Sequence, residues 1–264
     1  MTIRVLVSGS GKMGREVLAA VCRESDLEPA GVVDLFSTGE TISLPDETGA
    51  VPFGTDAGAI IEQTRPDVAV DFTNAEWTPR LAEAALAAGV RLVIGTSGLK
   101  DEFVRHLGTE CDNRGLGAVI APNFALGAIL MQHMAKTAAR FYQSAEIIEL
   151  HHDQKIDAPS GTAIATAKGM AEARGKQFRR AETRRENLPG TRGGEAAGVT
   201  IHSVRLPGLV AHQEVILGSP GEILTIRHDT LGRESFMPGV LLAVHHVMEH
   251  PGLVVGLDRL IGLE

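Results

Sequence analysis

The start of the chain most constrains what it can fold into. An apolar run, Ile3–Val7, breaks at Gly9-Ser10-Gly11-Lys12-Met13-Gly14 and gives way to an amphipathic stretch, Arg15–Arg23. Strand, G-x-G-x-x-G turn and helix, in that order, put glycines where the chain turns sharply. They also let a pyrophosphate approach the backbone N–H groups of a helix N-terminus. The spacing alone is a weak sign, because a plain glycine turn shares it. Asp34 strengthens it by ending the next apolar run, Ala30–Val33, 20 residues after Gly14. There a carboxylate accepts the ribose hydroxyls of a dinucleotide's adenosine. A carboxylate repels a 2′-phosphate, and Leu35 beside it offers no cation, so the residues predict NADH as the preferred cofactor. Lys12 is either a solvated lysine at the helix start or a cation that admits NADPH as well.

The rest of the first half repeats the unit. Val68–Phe72, Arg91–Ile94 and Gly117–Ala121 read as buried parallel strands, alternating with helical patterns at Ala57–Gln63, Thr78–Ala88 and Asp101–Asn113. A doubly wound parallel sheet follows. Beyond Phe124 the texture changes to a helix, Ala128–Phe141, a strand, Ala145–Leu150, and a further helix from Gly161 to about Ala173. A charged, glycine-rich stretch, Gly175–Gly198, reads as a long loop and the best candidate for a mobile one. Runs near Val199–Leu206, Val210–Leu217 and Glu222–His228, joined by Pro207-Gly208 and Ser219-Pro220-Gly221, predict an antiparallel meander. A helix, Ser235–Glu249, and a short apolar run, Leu253–Leu257, close the chain. The expected architecture is α/β: a Rossmann-type dinucleotide-binding domain over 1–125 and 235–264, and an α+β substrate domain with an open, mostly antiparallel sheet over 126–234.

Composition removes several classes. A net charge of −8 argues against a nucleic-acid or anionic-membrane surface. Two cysteines, Cys22 and Cys111, are too few for a disulfide framework or a cysteine-rich metal site. No apolar run approaches membrane-spanning length, and no signal-peptide pattern precedes Ile3, so the expected compartment is the cytoplasm. His246 and His250 have the i,i+4 spacing of metal ligands, but no third ligand is evident and no metal is expected.

Chemistry concentrates between Glu149 and Thr162, in Glu-Leu-His-His-Asp-Gln-Lys-Ile-Asp-Ala-Pro-Ser-Gly-Thr. Adjacent histidines in an extended segment point to opposite sides, which suits them poorly to one metal. Two imidazoles and the Lys155 ammonium do suit the binding and protonation of an anion. Ser160 is a good N-cap, and Gly161 and Thr162 then expose N–H groups able to hold a carboxylate. The plain alternative is a polar loop with a capped helix.

This segment resembles the dihydrodipicolinate reductase signature, E-x-H-H-x-x-K-x-D-A-P-S-G-T-A, at every fixed position from Glu149 to Ala163. The resemblance extends over nearly the whole chain. Gly95-Thr96-Ser97-Gly98 is similar to the family's G-T-[TS]-G cofactor loop, and Ala121-Pro122-Asn123-Phe124 to its A-x-N-F segment; the run Gly221-Glu222-Ile223-Leu224, His228 and Arg233 also match. The family's first loop usually reads G-x-x-G-R-M-G; here Ser8 stands for its first glycine and Lys12 for its arginine.

The resemblance implies hydride transfer from NAD(P)H to 4-hydroxy-tetrahydrodipicolinate, with loss of water, in lysine and diaminopimelate biosynthesis. It implies His151 as acid/base, Lys155 as proton donor, and His152, Ser160, Gly161, Thr162 and Arg233 as substrate-binding residues. Gly9 to Gly14, Asp34, Phe72, Gly95, Thr96, Ser97 and Ala121 to Phe124 would meet the cofactor. The expected partners are a small dicarboxylate and three further copies of the chain, joined through the second sheet. Because the cofactor loop and the histidine segment fall in different domains, hydride transfer requires them to approach, with Phe124 and Arg233–Ser235 as the expected hinges. Two rivals are an aspartate-semialdehyde-type dehydrogenase using Cys111 as nucleophile and a cofactor-sensing regulator without turnover.

Overall fold

A computed structural model describes residues 2–263 and separates them into two compact units, one running to Leu126 and resuming at Arg233, the other Gly127–Gly232. In chain order the first unit contributes β1 (Ile3–Ser8), α1 (Lys12–Arg23), β2 (Leu27–Val33), β3 (Thr41–Ser43), β4 (Ala50–Gly54), α2 (Ala57–Thr64), β5 (Val68–Asp71), α3 (Thr78–Ala87), β6 (Arg91–Ile94), α4 (Asp101–Arg114) and β7 (Gly117–Ile120). Then come α5 (Leu126–Ala139), β8 (Ser144–His151), α6 (Gly161–Arg174), β9 (Gly194–Ala196), β10 (Val199–Arg205), β11 (Ala211–Ser219) and β12 (Glu222–Thr230). A 3-10 turn, Arg233–Phe236, leads back into the first unit through α7 (Met237–Glu249) and β13 (Gly252–Val255).

The first unit is an eight-stranded sheet of order β13-β7-β6-β5-β1-β2-β4-β3, parallel except where the short β3 runs against β4. Every residue of β5 and β7 is buried, which is why these strands read as unbroken apolar runs: helices cover both faces. Asp56 caps α2 by accepting the Ala59 N–H at 2.8 Å, and Gly115, at φ +64°, ends α4 in the left-handed conformation that glycine adopts without strain. The chain leaves β1 towards β2 on one side and returns to β5 on the other. That reversal opens a crevice at the C-terminal ends of the central strands.

The second unit is a five-stranded sheet of order β12-β11-β8-β10-β9. Ala145, Ile147, Val199, Ile201, Val215 and Leu217 point to one face and pack with Met131 and Ala135 of α5 and Ala163, Ala167 and Met170 of α6. The predicted meander needs correcting. Of the three predicted runs, β11 and β12 form a hairpin, but β10 pairs in parallel with β8, which lies between it and β11, and its other edge takes the short β9 in antiparallel. The physical reason is α6, the helical crossover that a parallel β8–β10 pair requires. The closing apolar run also proves to be a strand, β13, added in parallel to β7.

Candidate active site

In the first unit, four loops leave the C-terminal ends of β1, β5, β6 and β7. After β1, Gly9 adopts φ +99°, and a Cβ on Gly14 would lie 1.8 Å from the Gly9 carbonyl oxygen, so no other residue fits at Gly14 without moving the loop. Gly11 stands at the N-cap of α1 with no side-chain cap and nothing within 4 Å of where a Cβ would be. The first N–H groups of α1 therefore face open space, the arrangement a pyrophosphate needs. Asp34 sits beside this loop and accepts from the Ser10 N–H at 2.6 Å, the Ser10 hydroxyl at 2.7 Å and the Phe36 N–H at 2.9 Å. Partial burial works against its charge, but the N–H groups of Phe36 and Ser10 outweigh that and hold the carboxyl below its ordinary value.

Ser8, which stands where the family has glycine, is fully buried and accepts the Trp77 indole N–H at 2.9 Å. The turn is made one residue later, by Gly9. Beneath the crevice, the buried Asp71 accepts hydroxyl protons from Thr73 at 2.7 Å, Thr78 at 2.5 Å and Thr96 at 2.9 Å, and Thr96 accepts the Thr73 N–H at 3.1 Å. The loops after β5 and β6 are thereby tied to each other. Gly95 leaves room for the Phe72 ring, whose Cε1 would be 2.1 Å from a Cβ there, and Phe72 meets Phe124 edge-on at 5.4 Å. Phe124 is buried, while Ser97 and Pro122 are exposed at the loop tips and Met13 is half-buried in α1. Ala121 is buried at the end of β7, and Asn123 caps its own turn by accepting the Ala125 N–H at 2.9 Å.

A cavity of about 740 Å³ adjoins Asp34, lined among others by Ser10, Arg15, Phe36 and Thr38. The cation on its wall is Arg15, whose Nε donates to the Ser10 carbonyl at 3.3 Å; Lys12, exposed in the first turn of α1, is not part of that lining. Sequence spacing directs attention to Lys12 because it lies inside the loop motif. Arg15 follows the motif and comes beside Ser10 only through the helical turn.

In the second unit, β8 alternates its side chains, so Glu149 and His151 share the face turned towards the helices while Leu150 and His152 do not. Glu149 is fully buried. Its Oε2 meets His151 Nδ1 at 2.5 Å and Arg205 Nη1 at 2.9 Å; its Oε1 accepts from Arg205 Nη2 at 2.8 Å and from the Ser160 N–H at 3.2 Å. Burial alone would raise the Glu149 carboxyl, but the Arg205 fork, aided by Ser203 and His151, holds it below its ordinary value. Burial pushes the His151 imidazole down, more than Glu149 lifts it. Lys155 pairs with Asp157 at 2.6 Å, and its own N–H closes a turn onto the His152 carbonyl.

Ser160 caps α6, its hydroxyl accepting the Ala163 N–H at 3.1 Å. The Gly161 and Thr162 N–H groups lie at the open end of that helix, and a Cβ on Gly161 would meet nothing within 4 Å. The second unit thus gathers His151, Lys155, Ser160, Gly161 and Thr162 around one strand end, with His152 exposed beside them; Arg233 opens the 3-10 turn of the first unit. Arg205 and the structural role of Glu149 escape sequence reading, because they lie 56 residues apart and only the parallel β8–β10 register, which pairs Arg205 with His151, brings them together.

Two other sequence features lead elsewhere. Cys111 is fully buried and its thiol is pushed up to about 11, chiefly by burial, which makes it a poor nucleophile. His246 and His250 stack with ring centroids 4.5 Å apart, and among the described residues no cluster of three metal-ligating side chains exists.

A switch-point crevice with an open helix N-terminus and the Asp34 carboxylate beside it, together with the Glu149–His151–Arg205 cluster in a second unit, is the arrangement of a dinucleotide-dependent oxidoreductase. Family models described as dihydrodipicolinate reductase, N-terminus and C-terminus, match residues 3–124 and 127–261. The chain belongs to the dihydrodipicolinate reductase family. A 4-hydroxy-tetrahydrodipicolinate reductase of Dehalococcoides mccartyi is 50% identical over 262 residues, covering 99% of either chain. One of Geobacillus thermodenitrificans is 48% identical, over 99% of this chain and all of its own. Among solved structures, a dipicolinate-bound dihydrodipicolinate reductase from Paenisporosarcina sp. TG-14 aligns with a TM-score of 0.88 at 40% identity, covering 98% of this chain and 99% of its own. An amine dehydrogenase from Mycobacterium smegmatis, at 15% identity and a TM-score of 0.66 over 98% and 96% of the two chains, shares the fold. Among the described residues no helix is long and apolar enough to cross a membrane.

Proposed function

We propose that the chain catalyses the reduction of 4-hydroxy-tetrahydrodipicolinate to tetrahydrodipicolinate in lysine and diaminopimelate biosynthesis, drawing hydride from NADH in preference to NADPH. The observation that carries this reading is the cluster of half-buried His151 and Arg205 on the buried Glu149, beside Lys155 and the open N-terminus of α6. A reduced nicotinamide supplies the hydride; the chain supplies binding, orientation and protons.

The crevice fits the cofactor. N–H groups at Gly11 and the start of α1 take the pyrophosphate, Asp34 takes the adenosine ribose, and the loops at Phe72, Gly95–Ser97 and Ala121–Phe124 flank the nicotinamide end. Asp34, held in its charged form, disfavours a 2′-phosphate, while Arg15 on the adjoining wall softens the discrimination. In the second unit, the Gly161 and Thr162 N–H groups take one substrate carboxylate, with His152 and Ser160 as further substrate contacts; Arg233, in the first unit, is proposed as a substrate-binding residue from the family resemblance alone. Lys155 Nζ delivers a proton to the atom left electron-rich by hydride addition, and His151 Nε2 exchanges a proton at the ring.

The domain roles follow: dinucleotide binding in 1–125 with 235–264, substrate binding in 126–234. Copies of the chain join as a tetramer through the face of the second sheet opposite its helices, where Ile148, Leu150 and Ile216 are each half-buried. The proposed compartment is the cytoplasm, where reduced nicotinamide is at hand. Initial rates of NADH and NADPH oxidation with freshly made substrate test the proposal. Turnover with NADH favoured is expected; no oxidation of either cofactor refutes the activity, and a clear NADPH preference refutes the assignment of Asp34.

A further inference from the structure

We propose that Glu149 is a positioning residue that fixes the tautomer of His151, keeping the proton on Nδ1 and leaving Nε2 as the one ring nitrogen open to substrate. This deepens the reading of His151 as an acid/base group and rests on it. The argument is one of donors and acceptors. The Arg205 fork donates to both Glu149 oxygens, at 2.8 and 2.9 Å, and the Ser160 N–H donates to Oε1 at 3.2 Å. Neither the guanidinium nor the N–H can accept, and the Ser203 hydroxyl, the one partner that could, also helps hold the carboxyl below its ordinary value. A fully buried carboxyl clamped by a guanidinium and a backbone N–H is held as the carboxylate, which has no proton to give. The 2.5 Å contact to His151 Nδ1 is then possible only if Nδ1 carries the hydrogen.

A division of labour follows. With its ring neutral and Nδ1 protonated, His151 presents a lone pair at Nε2 and accepts a hydrogen bond or a proton there. The donor of the pair is Lys155, whose ammonium is held by Asp157 at 2.6 Å. Arg205 acts one step further back, by keeping Glu149 charged.

Glu149→Gln tests this because it is nearly isosteric and carries a directional bias. Its amide oxygen belongs at the Oε1 position, where two donors that cannot become acceptors converge, the Ser160 N–H and Arg205 Nη2, whereas Oε2 meets one such donor, Arg205 Nη1, and an imidazole nitrogen that can change tautomer. The amide NH₂ then faces His151 Nδ1, which must accept, so the ring proton moves to Nε2. Long-range ¹H–¹⁵N correlation spectra of ¹⁵N-histidine-labelled protein read the tautomer directly, with the His151 signals assigned by their loss in His151→Asn. The unsubstituted protein should show a protonated Nδ1 and E149Q a protonated Nε2. The kcat of E149Q should fall by about 10²–10⁴-fold, the range for acid–base groups, with NADH affinity unchanged. A protonated Nε2 in the unsubstituted protein overturns the proposal. So does an E149Q protein that keeps both the original tautomer and normal turnover. Should E149Q fail to fold, as its NADH titration would reveal, the spectrum of the unsubstituted protein decides alone. The tautomer is measured without turnover, so its outcome is separate from whether the proposed substrate is correct.

Discussion

At the ends of β1, β5 and β6 the groups turned to ligand space are largely backbone, and side chains serve to hold that backbone still. Gly9, Gly11 and Gly14 clear the way to the N–H groups of α1, while Trp77 clamps Ser8 and Asp71 gathers three threonine hydroxyls. Around His151 the arrangement is reversed. The groups proposed to act are an imidazole and an ammonium, and each is held by a carboxylate, Glu149 or Asp157. A pyrophosphate with delocalised charge is well served by many weak, fixed dipoles. Proton transfer needs a single atom at a single place in a chosen protonation state, which only side chains supply. Substitutions should therefore act differently in the two units: backbone access governs binding in the first, side-chain chemistry governs turnover in the second.

Lys155→Ala puts the largest effect on that contrast. Removing the proposed proton donor should lower kcat by about 10²–10⁴-fold while direct titration finds NADH affinity unchanged, since Lys155 lies in the second unit and the crevice in the first. Near-normal turnover, or a parallel loss of NADH binding, would erase the contrast and return the segment to the plain reading of a polar loop before a capped helix.

Gly14→Ala probes the other side. Its methyl group would fall 1.8 Å from the Gly9 carbonyl oxygen, a backbone atom that cannot step aside without the loop moving. A loss of NADH affinity of about tenfold or more, or ~1.4 kcal/mol, is expected, measured by fluorescence titration. At saturating NADH, kcat should return towards its original value, because the side chains proposed to move protons are untouched. A kcat that stays low at saturation would mean that the loop also sets the chemistry, and the contrast would fail from this side.

The same difference explains what the sequence could and could not reveal. A backbone site leaves a local trace, because glycine at a fixed spacing before a helix has few other uses. Asp34 is found by counting along one strand–helix–strand unit. Side-chain sites are legible only as far as their partners are close in sequence. His151, Lys155 and Ser160 crowd into one segment, whereas Arg205 reaches Glu149 from 56 residues away and Trp77 reaches Ser8 from 69. Reading β10 as part of a meander would place it beside β11 and leave Arg205 remote from Glu149, so the error in topology and the missed cluster are one error. Strand composition tells that a segment pairs, while its neighbour is decided by the crossover through α6 and by which face buries Ile147 and Ile201. β3 and β4 escaped notice for simpler reasons: β3 has only three residues, and β4 contains Pro52, which cannot donate to a ladder.

The smallest expected effect is the finest probe, because Thr162 belongs to the second unit yet is proposed to work partly through its backbone. Its N–H lies in the first turn of α6, and its carbonyl accepts the Thr166 hydroxyl at 2.8 Å inside that helix. Thr162→Val retains both of these groups and removes only the hydroxyl. A neutral hydrogen bond to substrate is worth about 0.5–1.5 kcal/mol, so KM should rise by roughly two- to twelvefold with kcat and NADH affinity little changed. Valine is also β-branched, so helix propensity and packing at that position stay nearly constant. An unchanged KM would assign carboxylate binding to the backbone alone, making the start of α6 a counterpart of the start of α1. A fall in kcat comparable to that of Lys155→Ala would instead make the hydroxyl part of the proton path, a side-chain role beside the backbone one.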